Sequence, residues 1–496
     1  MITRLARGFP SWKLALCALG SGCAGALGQA PWSLWWLALL GFSVAFYLFS
    51  RARRLGEAAW IGWLFGFGYF ALALSWIVEP FLVDPARHGW MAPFAIFFLS
   101  GGLALIWSLA FGLAKRSGGG GVMLVALWTA GEMLRSILFT GFPWALIGHV
   151  WIDTPVLQIA SLVGGHGLTL CALLIANWAA EFANWHGRIM AIVSLCLVWG
   201  GGYVMSPKTE PTFGDKTIRL VQPNAEQHLK WDPRMTPVFY QRLLALSREP
   251  AEKVPDLIVW PETALAQRLD RAEQALDMMA DAAAGVPMVF GVNNLVEARY
   301  RNTLAVMGSD GTIETEYYKH HLVPFGEYLP LGALLARLGV FGLSERGGLG
   351  FGSGPGPRLI DLPGIGTALP LICYELIFPR NLRGVDRPDL ILQITNDAWF
   401  GKISGPFQHL AQARLRAVEQ GLPLLRAANT GVSAAIGPKG QVTALLGLGE
   451  TGYLDAALPM PLPPTLYARA GDWPIRILLL SLFAFAIVGR KKALSD

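Results

Sequence analysis

The chain has 496 residues, 53% of them hydrophobic and 15% charged, with a mean hydropathy of +0.43 and a formal net charge of +6. A water-soluble enzyme of this length does not carry such an apolar excess, so a wholly soluble protein is excluded and lipid must take up the surplus. The positive charge falls in short clusters between apolar runs, with no basic and aromatic stripe of the kind nucleic acid requires, and no nucleic-acid partner is expected.

Taken in chain order, the first part of the chain holds seven apolar runs close to the roughly 20 residues that a spanning helix needs, at about 12–29, 32–49, 57–78, 91–113, 121–139, 166–184 and 189–206, and an eighth follows at about 474–489. The first run is followed at once by others and lacks a small-residue cleavage site, so it reads as a retained span and not as a signal peptide. These runs predict a membrane domain over 1–210 with seven transmembrane helices, a water-exposed domain over 211–465, and a C-terminal transmembrane helix and tail over 466–496.

Lysine and arginine in short connections mark the cytoplasmic side. Arg4, Arg7 and Lys13, then Arg51, Arg53 and Arg54, then Lys115 and Arg116, then Arg188, then Arg490, Lys491 and Lys492 all fall on one side of an eight-span arrangement. Both termini are therefore expected in the cytoplasm, and the domain over 211–465 in the periplasm beyond the inner membrane. Cys17, Cys23, Cys171 and Cys196 lie inside expected spans, which leaves Cys373 as the lone cysteine of the exported domain. It has no partner for an internal disulfide, so its reactivity becomes the question.

From residue 217 onward, short β-rich runs alternate with helical patterns. Strands are predicted at 217–221, 256–260 and 286–292, helices at 236–248 and 271–284, and a hairpin from 303–307 to 312–318 around the turn Gly308-Ser309-Asp310-Gly311. Strands at 368–373, 390–395, 424–427, 433–437 and 442–446 and a helix at 409–420 complete an α/β layered domain with mixed sheets. Residues 330–357 stand apart as a Gly-rich loop with Leu331, Leu335, Leu338, Val340, Phe341 and Leu343, apolar enough to suggest contact with lipid.

Three segments carry rare polar residues just past strand ends, where α/β folds place their reactive groups. In Trp260-Pro261-Glu262-Thr263 the carboxylate is suited to a general base, or equally to a dipole-favoured acid at a helix start. Lys319, followed by His320 and His321 and then by Glu327, is placed to stabilise an oxyanion, although a lysine at a strand end is usually a solvated charge. Cys373, followed by Tyr374 and Glu375, ends an apolar strand; a base that removes the thiol proton and a cation that favours the thiolate would make it a nucleophile. A lone buried cysteine is ordinarily inert packing. No zinc-ligand spacing such as HExxH occurs, and no metal or other cofactor is expected.

Taken in order, Glu262, Lys319 and Cys373 resemble the catalytic triad of the nitrilase, or carbon-nitrogen hydrolase, superfamily, whose domain is an αββα sandwich. The combination of WPET, KHHLVPFGEYLP, ICYE and NDAWFG, set between seven spans and one, resembles its membrane-embedded branch, the apolipoprotein N-acyltransferases. Glu132, Arg135 and Thr140-Gly141-Phe142-Pro143-Trp144 resemble that family's segment at the end of the fifth span.

The resemblance implies that Glu262 is the general base, Lys319 the oxyanion stabiliser and Cys373 the nucleophile. It implies supporting or substrate-binding roles for Glu327, Tyr374, Glu375, Trp231, Trp399 and Asn396. It further implies acyl transfer from a phospholipid, typically phosphatidylethanolamine, through a thioester to the α-amine of a diacylated apolipoprotein, by a protein expected to be a monomer. Two other readings stay open: a tethered hydrolase of small amides, and a transporter with an exported binding domain. The 330–357 loop and residues 141–150 are candidates for a lipid gate, the latter also for interfacial anchoring. Glu132 and Arg135 are either a functional pair or a structural one.

Overall fold

The computed structural model describes residues 10–118, 120–330 and 350–495, with side chains up to residue 484. Arg4 and Arg7, the side chains of Arg490, Lys491 and Lys492, and the loop residues from Leu331 to Leu343 proposed as a gate lie outside that description. The chain forms two compact units. One comprises 1–208, 403–411 and 464–496, and the other 209–402 and 412–463.

The first unit is helical. Its helices are α1 (Trp12–Ala26), α2 (Trp35–Arg51), α3 (Leu55–Ala73), α4 (Ala92–Ser117), α5 (Gly120–Arg135), α6 (Ala160–Ala180) and α7 (Trp185–Met205), with a last helix at Trp473–Ser495. Each expected span thus coincides with a helix, but the lengths differ from expectation. Among the described residues, three stretches, Pro85–Ser117, Pro155–Ala180 and Trp185–Met205, are long and apolar enough to cross a membrane, and the pair Leu55–Ala73 and Ser75–Leu82, bent by 48°, makes a fourth if it is one span. By contrast α1, α2 and α5 have 15, 17 and 16 residues.

The centre of the bundle is aromatic. Trp128 packs against Phe65, Trp107 and Phe111 with ring centroids 5.5, 5.0 and 4.9 Å away, geometry that adds to the burial of these large rings. α1 and α3 approach closely because Gly22 and Gly68 lack side chains. A Cβ on Gly22 would meet the Phe65 carbonyl oxygen at 2.0 Å, and one on Gly68 the Leu19 carbonyl oxygen at 2.3 Å. The outward faces stay apolar, with Phe98, Leu105, Leu197 and Val204 exposed.

Within the bundle Glu132 and Arg135 form a buried ion pair at 2.9 Å. Arg135 also donates to the carbonyl oxygens of Phe142, Trp144 and Ala145, while Glu132 accepts from Trp107 Nε1 and the Ile147 amide. The pair therefore holds the 141–147 segment in place, which favours the structural reading. That segment is not an interfacial anchor: Trp144 and Leu146 are fully buried, and Trp144 Nε1 donates to Gln408 Oε1 at 2.7 Å.

The second unit is an α/β domain of two mixed sheets. The seven-stranded sheet runs β13-β1-β2-β4-β5-β6, with β3 paired to β4. Its strands are β1 (Phe213–Gln222), β2 (Leu257–Val259), β3 (Leu265–Arg268), β4 (Met288–Val296), β5 (Arg299–Met307), β6 (Ile313–Tyr318) and β13 (Gly452–Pro459). The six-stranded sheet runs β12-β11-β10-β9-β8-β7, from β7 (Ile360–Leu362), β8 (Gly366–Ile372), β9 (Leu390–Thr395), β10 (Leu424–Ala428), β11 (Ser433–Ile436) and β12 (Val442–Leu446).

The parallel strands are the apolar ones. β2 and β9 are buried along their whole length, as strands covered on both faces must be. Helices α8 (Thr236–Arg248) and α9 (Glu273–Ala283) lay Leu243, Leu244, Ala275 and Met279 on Ile258, Trp260 and Phe290. Helix α10 (Gly405–Gln420) begins in the first unit and ends in the second. The strands β3, β7 and β13 were not expected from the sequence.

Candidate active site

Each of the three segments singled out in the sequence leaves the C-terminal end of a strand: Glu262 follows β2, Lys319 follows β6 and Cys373 follows β8. A fourth, Asn396, follows β9. In a layered α/β domain those ends are where backbone groups are left unpaired and polar side chains can converge.

Glu262 is buried. Its Oε1 accepts from Asn302 Nδ2 at 2.7 Å and lies 3.4 Å from Lys319 Nζ, and its Oε2 accepts from the Asn396 amide at 2.9 Å. Lys319 Nζ donates to Glu327 Oε1 at 2.8 Å, and the other oxygen of Glu327 accepts from the Val323 amide. Register positions the lysine: its amide donates to the Asn302 carbonyl oxygen at 2.9 Å across the β5–β6 pairing, so one residue supplies both the strand contact and a bond to the base.

Cys373 is buried and sits at a φ of 51°, where a residue with a side chain is held only by its surroundings. Glu375 does the holding. Its carboxylate accepts from the amides of Ile372, His320 and His321 and from the Tyr317 hydroxyl, which ties the turn carrying Cys373 to the segment carrying Lys319. Gln393 Nε2 donates to the Cys373 carbonyl oxygen at 3.3 Å. Below it, Asp397 is buried against Arg426 and accepts from the Thr395 hydroxyl.

The charges act on one another through this low-dielectric interior. Burial and then the negative charge of Glu262 raise the Cys373 thiol above its ordinary value, against the opposing pull of Lys319, so the resting sulfur is protonated. Burial alone would lower the Lys319 ammonium, but the carboxylates of Glu327 and Glu262 outweigh it and hold the group above the usual lysine value. His320 shows the same balance: burial opposes its charge, and contact with Glu375 at 2.6 Å prevails and raises it. A protonated thiol, a carboxylate and a fixed ammonium are the groups that nucleophilic attack on a carbonyl needs.

The remaining expected residues divide. Asn396 belongs to the centre, its amide on Glu262 and its side chain bonded to Gln227 and Asn429. Tyr374 is buried between His321 and Phe378, with ring centroids 5.7 and 5.0 Å away. Trp231 is 38% exposed beside the buried Lys230, and Trp399 is half-buried on the turn after Asn396. The sequence reading missed Asn302, Gln227, Lys230 and Asn429, whose proximity depends on register and on turns that no spacing reveals. Among the described residues, no group of three or more His, Cys, Asp or Glu side chains is placed to hold a metal ion.

The second unit and part of the first match known protein families. Residues 217–462 match the carbon-nitrogen hydrolase family, and residues 21–178 match the apolipoprotein N-acyltransferase N-terminal domain. The apolipoprotein N-acyltransferase of Rhodopseudomonas palustris is 37% identical over 99% of this chain and 98% of that protein. The enzyme of the same name from Brucella suis is also 37% identical, over the same shares. Among solved structures, an amidase from Nesterenkonia sp. is 22% identical over 51% of this chain and 94% of its own, with a TM-score of 0.37. The chain is an enzyme, an acyltransferase with a carbon-nitrogen hydrolase fold, and it belongs to the membrane-associated apolipoprotein N-acyltransferase family.

Proposed function

We propose that the protein transfers a fatty acyl group from a phospholipid, phosphatidylethanolamine in the first instance, to the N-terminal α-amine of the diacylglyceryl-cysteine of apolipoproteins, completing their maturation. The observation that carries this reading is the convergence of Glu262, Lys319 and Cys373 in one buried, charge-coupled cluster. Glu262 takes the thiol proton as Cys373 attacks the ester carbonyl. Lys319 stabilises the oxyanion, and collapse breaks the ester C–O bond while Glu262 returns the proton to the departing lysophospholipid. A thioester remains on Cys373. The acceptor amine then attacks it, Glu262 takes the amine proton, and the amide product leaves as the sulfur is reprotonated.

Glu327 keeps Lys319 charged and aimed, Glu375 and Tyr374 hold the turn that carries the nucleophile, and Asn396 orients Glu262. Trp231 and Trp399 are assigned to the substrate region. Both substrates are lipids, which gives the bundle its purpose: a water-borne site would meet neither at useful concentration. We assign eight spans to it, with both termini cytoplasmic, the catalytic domain over 211–465 on the periplasmic side of the inner membrane, and a monomer as the working form.

The test is intact-mass analysis of purified protein after incubation with phosphatidylethanolamine, wild type against Cys373→Ala. A fatty acyl mass on the wild type, released by neutral hydroxylamine and absent from the variant, is the expected result. A folded wild type that gains no acyl group would overturn the thioester mechanism and turn attention to ammonia release from small amides.

A further inference from the structure

We propose that Lys230 is a second cation of the catalytic centre, which fixes the main chain carrying Glu262 and supports the negative charge that forms on Cys373. Lys230 lies between β1 and α8 and is buried. Its Nζ donates to the Glu262 carbonyl oxygen at 3.1 Å. It lines a small cavity with Thr236, Pro261, Thr263 and Asn429. Among the described residues that carbonyl is the one acceptor recorded for its ammonium, which has three donors to satisfy. A buried cation so sparsely bonded is costly unless nearby negative charge offsets it.

Counting charge around the sulfur identifies that offset. Glu262 and Glu327 bring two negative charges and Lys319 one positive charge. Asp397 is matched by Arg426, and Glu375 by His320 while that imidazole is protonated. With Lys230 included the cluster is neutral, and it stays neutral when the proton moves from Cys373 to Glu262. Without Lys230 the thiolate would form inside a cluster already carrying a net negative charge, which disfavours it. Lys319 favours the thiolate, but its single charge faces the carboxylates of both Glu327, at 2.8 Å, and Glu262, so a second cation is needed to balance the pair. Burial draws Lys230 down to about 8, against the opposing charges of Glu262 and Cys373, so its support is present below that pH and fades above it.

The inference rests on the acyltransfer reading for its purpose, but its test needs no acyl donor. Full-length enzyme in detergent is alkylated with iodoacetamide from about pH 6 to pH 10, and modification at Cys373 is followed by peptide mass for wild type, Lys230→Met, Lys230→Gln and Lys230→Arg. Alkylation reports thiolate. The methionine and glutamine variants are expected to react about tenfold more slowly below pH 8, the gap narrowing above it as the wild-type lysine loses its charge, and the arginine variant is expected to keep the wild-type rate below pH 8. Neutral variants whose profiles superimpose on wild type, whatever their stability or turnover, would overturn the proposal. Should Lys230→Met not fold, Lys230→Gln against Lys230→Arg decides it. A wild type that is alkylated as expected but never acylated by phospholipid would count against the thioester mechanism alone.

Discussion

Gly291 lies hard against the turn that carries Glu262: its amide donates to the Pro261 carbonyl oxygen at 3.2 Å, and a Cβ there would stand 2.6 Å from Glu262 Cα and 2.3 Å from the Thr263 nitrogen. These are backbone atoms with nowhere to yield. Gly291→Ala should therefore displace the base and lower acyl transfer by about 100-fold, since a shift near 1 Å in a reacting group has that effect. Single-turnover acylation of Cys373 measures it, and unchanged kinetics in a folded variant would show that the turn tolerates the move.

Glu327 is the nearest partner of a buried ammonium. Glu327→Ala leaves Lys319 with Glu262 alone, and breaking a buried pair from one side costs about 3 kcal/mol. Thermal unfolding in detergent should show the loss, and acyl transfer should fall with it because Lys319 is drawn onto the base. Glu327→Gln, which keeps hydrogen-bonding atoms, is expected to recover part of the stability and little of the activity.

The contact of His320 with Glu375 makes one tie between the Lys319 and Cys373 segments dependent on pH. Because the folded protein holds His320 above its ordinary value of about 6.5, the stabilisation is fully present below that pH and is lost as pH rises through the folded value. The difference in melting temperature between wild type and His320→Gln should be largest below about pH 6.5 and shrink at higher pH. A difference that stays flat with pH would assign the tie to the amide bonds of Glu375 alone.

In the helical unit, Arg135→Met strands Glu132 among apolar side chains and frees three carbonyls of the 142–145 segment. The expected cost is about 3–5 kcal/mol, seen as a lower unfolding temperature. The double variant Glu132→Gln, Arg135→Met should cost less than the two single changes added together, since the pair is removed as a unit.

Glu262 and Cys373 were legible because each ends a short apolar run, a pattern that survives without knowledge of the fold, whereas Lys319 was placed by the polar turn Gly308-Ser309-Asp310-Gly311 of the hairpin that precedes it. Ile258 and Val259 announce β2, and Leu371 and Ile372 announce β8. Asn302 was not legible: it is one of several polar residues in the first half of β5, and only the pairing of β5 with β6 sets it beside Lys319 and within reach of Glu262. Lys230 is not legible either: nothing in its neighbourhood in the sequence marks it as buried, and only the fold sets its ammonium on the Glu262 carbonyl oxygen. Apolar runs located the helices of the bundle but misjudged where two of them end. The 121–139 run ends as a helix at Arg135, where Arg135 turns back to bind the carbonyls beyond, and the run from 57 to 78 breaks after Ala73.

β13 joins the sheet beside the first strand of its unit. Leu220 pairs with Leu454, so roughly 230 residues of chain must be made before β1 gains this neighbour, a closure whose entropy cost grows only slowly with length but whose delay does not. Until then one edge of β1 is an open template for other strands. During biogenesis the hydrolase fold is therefore completed late, almost at the last helix, and a chain interrupted before residue 452 would expose a sticky edge while already holding Glu262, Lys319 and Cys373.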